Sequence, residues 1–469
     1  MKNSESIASK MFEVLNPATG EVLEHVPNMG AIETEFAIDK ANKALSAWSA
    51  KTGKERAIIL RRWFELMRTN SDYLAELMCK EQGKPLHEAK GEVAYAASFL
   101  EWFGEEAKRV TGAIPTTTWS DKRMMVLKQP IGVCASITPW NFPLAMITRK
   151  VGPAIAAGCT IVIKPAEQTP LSALALAKLA TEAGVPDGVI NIITADSANS
   201  IEVGRVICDS PIVRHLSFTG STPVGKILMR QSASTVKKLG LELGGHAPFI
   251  VFEDADLDAA VEGAMQSKYR NAGQTCVCSN RFYVHDSLYD EFVVKLGKAS
   301  GELVVGNGML DGVHQGPLID EDAVKKVESH IADAVKHGAK VISGGKRHKL
   351  GGLFFEPTVL ANVTEDMLIM REETFGPVVA ITRFKTEEEV IAAANNSEFG
   401  LASYFYSRDI GRIWRVAEAL EYGMVGVNSG VISNEVAPFG GVKQSGLGRE
   451  GSSWGMDEYL EMKYVCIGL

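Results

Sequence analysis

No run of basic residues longer than a pair occurs in this 469-residue chain, and its formal net charge is −8. Without clustered positive charge, a nucleic-acid partner is not expected. Long apolar runs are also missing. The longest, Val151 to Ile163, has 13 residues between Lys150 and Lys164, too few to span a bilayer, so no membrane association is expected. The first residues, Met1-Lys-Asn-Ser-Glu-Ser, lack the apolar stretch of a secretory signal. Cysteine is sparse and odd in number, seven over the whole length. That count argues against a disulfide framework and for reduced thiols in a cytoplasmic setting. The nine histidines show no metal-ligand spacing, and no metal site is expected; His330 and His337, alone on a charged helical segment, read as solvated. Internal repeats, low-complexity tracts and long linkers are absent as well.

What is present is a hydrophobic content of 46% with 44 glycines, the composition of a globular α/β protein, at a length that needs two or three domains. Helical spacing of apolar residues marks 32–50, 55–84 and 92–110, so the first 110 or so residues read as strongly helical. Strands are expected at 124–127 and 131–138. Strand and helix then alternate: strands at 160–163, 189–193, 213–218 and 238–242, helices at 171–183, 201–208 and 222–233. Short connections between them predict parallel βαβ units. A second alternating series runs from Phe249 to about Phe405, and 459–467 alternates like an edge strand.

Six stretches carry candidate chemistry. Arg270-Asn-Ala-Gly-Gln-Thr-Cys276-Val-Cys278-Ser-Asn-Arg281 follows an amphipathic segment with a short glycine-containing turn, which can present a thiol to a cleft. Arginines on both sides would lower the thiol pKa and favour the nucleophilic thiolate; the bland reading is a small packing cysteine. Phe218-Thr-Gly220-Ser221-Thr-Pro-Val-Gly225 passes from strand to helix, where free N–H groups and the helix dipole favour a phosphate, although the spacing is also that of an ordinary turn. Lys164-Pro-Ala-Glu167 ends another strand at the sheet edge where nucleotides bind. Asn141 stands between two prolines in Thr138-Pro-Trp140-Asn141-Phe-Pro143, a rigid turn that suits an oxyanion-binding amide. Leu241-Glu242-Leu-Gly-Gly245 sets one carboxylate among apolar neighbours, which raises its pKa towards that of a general base. In Arg371-Glu-Glu373-Thr-Phe375-Gly-Pro377 the carboxylate alone reads best as a solvated helix end.

Taken in order, and with Pro438-Phe-Gly-Gly-Val-Lys-Gln-Ser-Gly-Leu-Gly-Arg-Glu450, these stretches resemble the aldehyde dehydrogenase superfamily from Asn16 to the end of the chain. Met146-Ile-Thr-Arg149-Lys-Val-Gly, Tyr269-Arg270-Asn-Ala-Gly-Gln-Thr-Cys276-Val-Cys278 and Val431-Ile-Ser433-Asn-Glu-Val-Ala-Pro are similar to its succinate-semialdehyde dehydrogenases.

The resemblance implies a Rossmann-like cofactor domain (1–119 and 140–243), an α/β catalytic domain (244–440) and a β-strand arm (120–139 and 441–469) that builds homodimers or homotetramers. It implies Cys276 as nucleophile, Asn141 as oxyanion donor and Glu242 as base. Thr138, Trp140, Lys164, Glu167, Gly220, Ser221, Gly225, Glu373 and Phe375 would hold the cofactor, and Arg149, Arg270 and Ser433 the far carboxylate of a semialdehyde. NAD is the expected cofactor, with NADP possible, because an uncompensated Glu167 would repel a 2′-phosphate; relatives that prefer NADP often carry serine there. Succinate semialdehyde is the expected substrate, with glutarate semialdehyde as the alternative. A non-catalytic protein on the same fold is a third reading, which the presence of both Cys276 and Glu242 disfavours. Cys278 stands two residues from the nucleophile, as a redox partner or as packing.

Overall fold

Two mostly parallel sheets account for both alternating series. The computed structural model describes residues 11–469. The first sheet has six strands in the order Gly446–Leu447, Lys238–Glu242, Val213–Thr219, Val133–Ile137, Thr160–Lys164 and Ile190–Ile192. All pair in parallel except Gly446–Leu447. The chain builds outward from Val133–Ile137 on one side, then crosses back to place Val213–Thr219 on the other. Such a switch opens a crevice beyond the carboxyl ends of the strands. The second sheet has seven strands, ordered Lys340–Ser343, Thr358–Ala361, Val378–Phe384, Ser279–His285, Ala247–Val251, Ala402–Tyr406 and Met424–Val427, with only the first antiparallel. Its central strands are buried along their whole length, as parallel strands covered on both faces must be.

The helical start differs from expectation in two places. A hairpin, Met11–Leu15 with Val22–Pro27, precedes the helices. The segment expected as one helix over 55–84 is two, Gly53–Thr69 and Ser71–Gln82. Asn70 breaks them with a non-helical backbone and returns its side-chain amide to the Leu66 carbonyl at 2.8 Å. At the front, Thr52 and Glu55 cap each other's backbone. Gly83, left-handed at φ 94°, stops the second helix, and the next runs Leu86–Glu106. These helices pack with Ala145–Ala157 over one face of the first sheet in a core that includes Trp63, Phe99, Phe103 and Ile155.

Strand Leu460–Gly468 pairs with Lys122–Pro130 in a separate antiparallel ribbon. Val133–Ile137, expected within that arm, is instead a central strand of the first sheet, and Gly446–Leu447 pairs beside Lys238–Glu242. Among the described residues no helix is long and apolar enough to cross a membrane, and no group of His, Cys, Asp and Glu is placed to hold a metal.

Candidate active site

The carboxyl edge of the first sheet faces the segments that enter strands of the second, and a cavity of about 280 Å³ lies between them. Trp140, Asn141, Arg149, Gly220, Ser221, Arg270, Cys276, Glu373, Phe375 and Ser433 all line it. The sequence scatters these residues over nearly 300 positions; the fold collects them.

Cys276 precedes strand Ser279–His285 and is half-buried. Its loop is wound through three successive left-handed residues, Asn271 (φ 52°), Ala272 (φ 56°) and Gly273 (φ 74°). A side chain at Gly273 would run into the Gly376 carbonyl, so only glycine fits. Burial pushes the thiol up to about 12, against the opposing pull of Arg149 and Arg270. The expected lowering by neighbouring arginines is thus outweighed by desolvation. Arg281, expected to help, is turned away: it donates to His246 O, Ala394 O and the Tyr422 hydroxyl. Cys278 is fully buried with its Sγ on Lys268 O at 3.4 Å, a packing position outside the cavity; a Cys276–Cys278 bond would require the loop to rearrange.

Asn141 donates through Nδ2 to Gln274 O at 3.0 Å, which leaves its second amide hydrogen for a ligand in the cavity. Its own carbonyl accepts from Lys84 Nζ at 2.8 Å and Asn271 Nδ2 at 3.0 Å. Arg270 lies 4.9 Å over the Phe142 ring, and among the described residues no carboxylate forms an ion pair with it. Arg149 is engaged: its Nε pairs with Glu450 at 2.5 Å, and its guanidinium lies 4.0 Å over Phe439. Burial alone would lower the Arg149 pKa; Glu450, followed by Tyr95, Glu242 and Cys276, raises it instead.

Glu242 does not line this cavity. It ends strand Lys238–Glu242, 2% exposed, with neither oxygen hydrogen-bonded, and faces a small void shared with Arg149, Ser217 and Glu450. Burial, then the nearby Glu450 charge, holds its carboxyl well above the usual range. Acting on a water beside Cys276 requires its side chain to turn from that void into the cavity.

The residues expected to hold a dinucleotide fit that task in part. Ser221 begins helix Thr222–Ser232 without a side-chain cap, and the buried hydroxyls of Thr138 and Thr219 have no partner. Free N–H groups and orphaned hydroxyls beyond the strand ends suit a pyrophosphate. Lys164, Thr138 and Gly225 are buried outside the first cavity, and Glu167 borders a separate one of about 800 Å³. Glu167 pairs with Lys164 at 3.6 Å, so its charge is compensated and the premise for excluding a 2′-phosphate is removed. Glu373 is no solvated helix end: it accepts from Gly245 N at 2.9 Å, and burial pushes its carboxyl up to about 7. Phe375 meets Trp140 edge to face at 5.6 Å.

Two lining residues, Lys326 and Tyr95, escaped the sequence reading. Each sits on a helix with no motif around it, so only tertiary placement reveals them. His330, read as solvated, is buried against Thr374 Oγ1 at 3.1 Å.

Comparison with known proteins places this geometry. The sequence model described as "Aldehyde dehydrogenase family" matches residues 3–465. The chain belongs to the aldehyde dehydrogenase family. A glutarate-semialdehyde dehydrogenase of Pseudomonas aeruginosa is 64% identical over 457 residues, covering 97% of this chain and 94% of the relative. A succinate-semialdehyde dehydrogenase of Escherichia coli, named for NADP(+), is 62% identical over 458 residues, covering 98% and 94%. The crystal structure of a succinate-semialdehyde dehydrogenase from Burkholderia pseudomallei superposes with a TM-score of 0.97 at 64% identity, covering 98% of this aldehyde dehydrogenase and 95% of that chain.

Proposed function

We propose that this aldehyde dehydrogenase oxidises succinate semialdehyde to succinate, with glutarate semialdehyde as the second reading. The observation that carries the proposal is Arg270, a guanidinium in the same cavity as Cys276 that has no carboxylate partner among the described residues. An arginine without an ion-pair partner among the described residues, lining a cavity beside the thiol, calls for an anionic ligand, since guanidinium and carboxylate form paired, charge-assisted hydrogen bonds. Ser433 lines the same cavity. Arg149 adds positive charge, because Glu450 is shared between it and Lys150: two cations against one carboxylate. The high identity to relatives of both substrate classes supports both readings. One methylene separates the two substrates, worth only about 1–3 kcal/mol of discrimination.

In the mechanism this supports, the Cys276 thiol gives its proton to solvent water, the thiolate sulfur forms a bond to the aldehyde carbon, and the carbonyl π pair moves onto oxygen. The Asn141 amide and the Cys276 N–H stabilise that oxyanion. A bound nicotinamide dinucleotide supplies the acceptor for the aldehyde's hydride. As the carbon–hydrogen bond breaks with its electron pair, the oxyanion pair re-forms the carbonyl, and Cys276 carries the acyl group as a thioester. Glu242, turned towards it, takes a proton from water; the hydroxide adds to the thioester carbon, and the carbon–sulfur bond breaks to free the acid. Trp140, Gly220, Ser221, Gly225, Thr138, Lys164, Glu167, Glu373 and Phe375 remain the proposed dinucleotide ligands, joined by Lys326 beside Glu373. Both NAD and NADP are proposed cofactors; with Glu167 neutralised by Lys164, the expected preference for NAD has no support. We place the enzyme in a reducing, cytoplasmic setting, in which all seven cysteines are free thiols, and assign the exposed ribbon to homo-oligomer assembly.

Reduction of NAD and of NADP, measured side by side with succinate semialdehyde, glutarate semialdehyde and butanal, tests the reading. A kcat/KM for butanal equal to that of either semialdehyde would sink it.

A further inference from the structure

We infer that Lys84, with Glu92 and Glu88 on the adjoining helix, is the positioning device that holds the oxyanion amide in register with the attacking thiol. The inference rests on the reading of Cys276 and Asn141 given above. Those two groups come from different sheets, on loops of irregular backbone, and their relative placement must hold to a fraction of an ångström; a misplacement of 1 Å costs about 100-fold in rate.

Lys84 is 2% exposed and lines neither the main cavity nor the void beside Glu242, so it is not in contact with a ligand there. A buried ammonium is costly unless every side of it is engaged. This one is engaged three ways. It donates to the Asn141 carbonyl at 2.8 Å, lies 4.0 Å over the Phe142 ring, and pairs with Glu92. Its first two partners are the candidate oxyanion residue and the next residue along. Glu92 reaches past Lys84 to accept from Leu144 N at 2.9 Å and Ala145 N at 3.3 Å. It thereby fixes the start of the helix that carries Arg149.

Glu88, one turn before Glu92, does the same for the thiol loop. It accepts from Asn271 N at 2.8 Å, at the first of the three left-handed residues that lead to Cys276. Non-glycine residues persist in that conformation only where the surroundings over-determine it. Asn271 also donates to the Asn141 carbonyl, the same oxygen that Lys84 holds. One helix therefore grips both loops, and the two grips meet at a single carbonyl. Burial pushes Glu88 up to about 7, opposed first by Lys84, so the cluster is electrostatically interdependent.

The test uses the full-length enzyme and two reactions that share the oxyanion site. These are semialdehyde oxidation with saturating dinucleotide, and hydrolysis of 4-nitrophenyl acetate by Cys276 without dinucleotide. Iodoacetamide labelling of Cys276 is the control, because alkylation develops no oxyanion. For Lys84→Met, and for the charge-balanced Lys84→Met/Glu92→Gln, kcat should fall 10- to 100-fold in both reactions. KM, dinucleotide affinity and labelling rate should stay within about twofold. Glu88→Ala should lose at least tenfold in kcat, and Glu88→Gln, which keeps an acceptor oxygen, should recover most of that loss. Unchanged kcat in the folded double variant, or equal losses in Glu88→Ala and Glu88→Gln, would overturn the inference. So would parallel losses of kcat, affinity and labelling, which would mark a general structural role. If the unmodified enzyme cleaves the ester but oxidises no aldehyde, the substrate reading falls and the ester series alone decides the positioning role.

Discussion

At the scale of single residues, the site is governed by desolvation. Cys276 is flanked by two guanidinium groups, yet burial dominates and holds its thiol near 12. Thiolate is the reactive form, and well below its pKa its fraction grows tenfold per pH unit. Labelling of Cys276 by iodoacetamide in the ligand-free enzyme should therefore climb about tenfold per unit from pH 7 to 10 without a plateau. A plateau below pH 8.5 would show the thiolate already formed. Glu242 is raised for the same leading reason, the direction a general base needs. Replacing it with glutamine should leave the thioester-forming half of the reaction intact. One reduced dinucleotide per site should appear as a burst, followed by steady turnover lowered about 100-fold. Unchanged steady turnover would remove Glu242 from the mechanism. The direction of the Glu242 shift was legible in its apolar sequence neighbours; the fate of Cys276 was not, because solvent exclusion there depends on loops far away in the chain.

At the scale of elements, the two arginines of the proposed clamp differ in their attachments. Arg270 belongs to a turn and has no ion-pair partner among the described residues, whereas Arg149 belongs to the helix Ala145–Ala157 and neutralises Glu450 together with Lys150. Charge-assisted bonds are worth about 1.5–3 kcal/mol, so Arg270→Ala should raise KM for succinate semialdehyde by roughly 10- to 150-fold. It should leave butanal kinetics and the melting temperature unchanged. Arg149→Ala should raise KM too, and should also lower the melting temperature, since it removes one of the two cations that flank a buried carboxylate. Equal damage to butanal oxidation by both substitutions would assign them a structural role only. The turn after strand Thr160–Lys164 is a second case. Lys164 stands at its end and Glu167 three residues on, the two in contact. Glu167→Ser frees the lysine, and the ratio of kcat/KM for NADP to that for NAD should rise; an unchanged ratio would remove Glu167 from cofactor choice. The sequence showed these two charges at a strand end but not their pairing.

At the scale of the whole molecule, the ribbon of Lys122–Pro130 and Leu460–Gly468 stands outside both large sheets, with Met462 75% and Tyr464 57% exposed. Exposed strand edges with apolar side chains invite pairing with another copy. Met462→Glu/Tyr464→Glu should lower the mass seen by sedimentation while leaving the fold's circular dichroism unchanged; an unaltered mass would assign assembly to another surface. Alternation in the C-terminal residues announced this strand. That its partner lies more than 300 residues earlier, and that Val133–Ile137 belongs to the sheet interior, could not be read locally.

What the sequence determined by itself was local and ordered. It set the strand–helix alternation, the turn chemistry around Asn141, Gly220 and Gly273, and a series of motifs specific enough to imply the family and to nominate ten of the residues that line the cavity. Those features depend on spacing and backbone preference over a few residues, and such preferences are carried in the residues themselves. Only the tertiary structure decided the charge states and partners. It bound Lys150 to Glu450 across 300 positions and turned Arg281 away from the thiol. It buried His330 and brought Lys326 and Tyr95 to the cavity. A pKa or an ion pair is fixed by the dielectric and the charges within a few ångströms, and in this fold most of those neighbours arrive from distant segments of the chain.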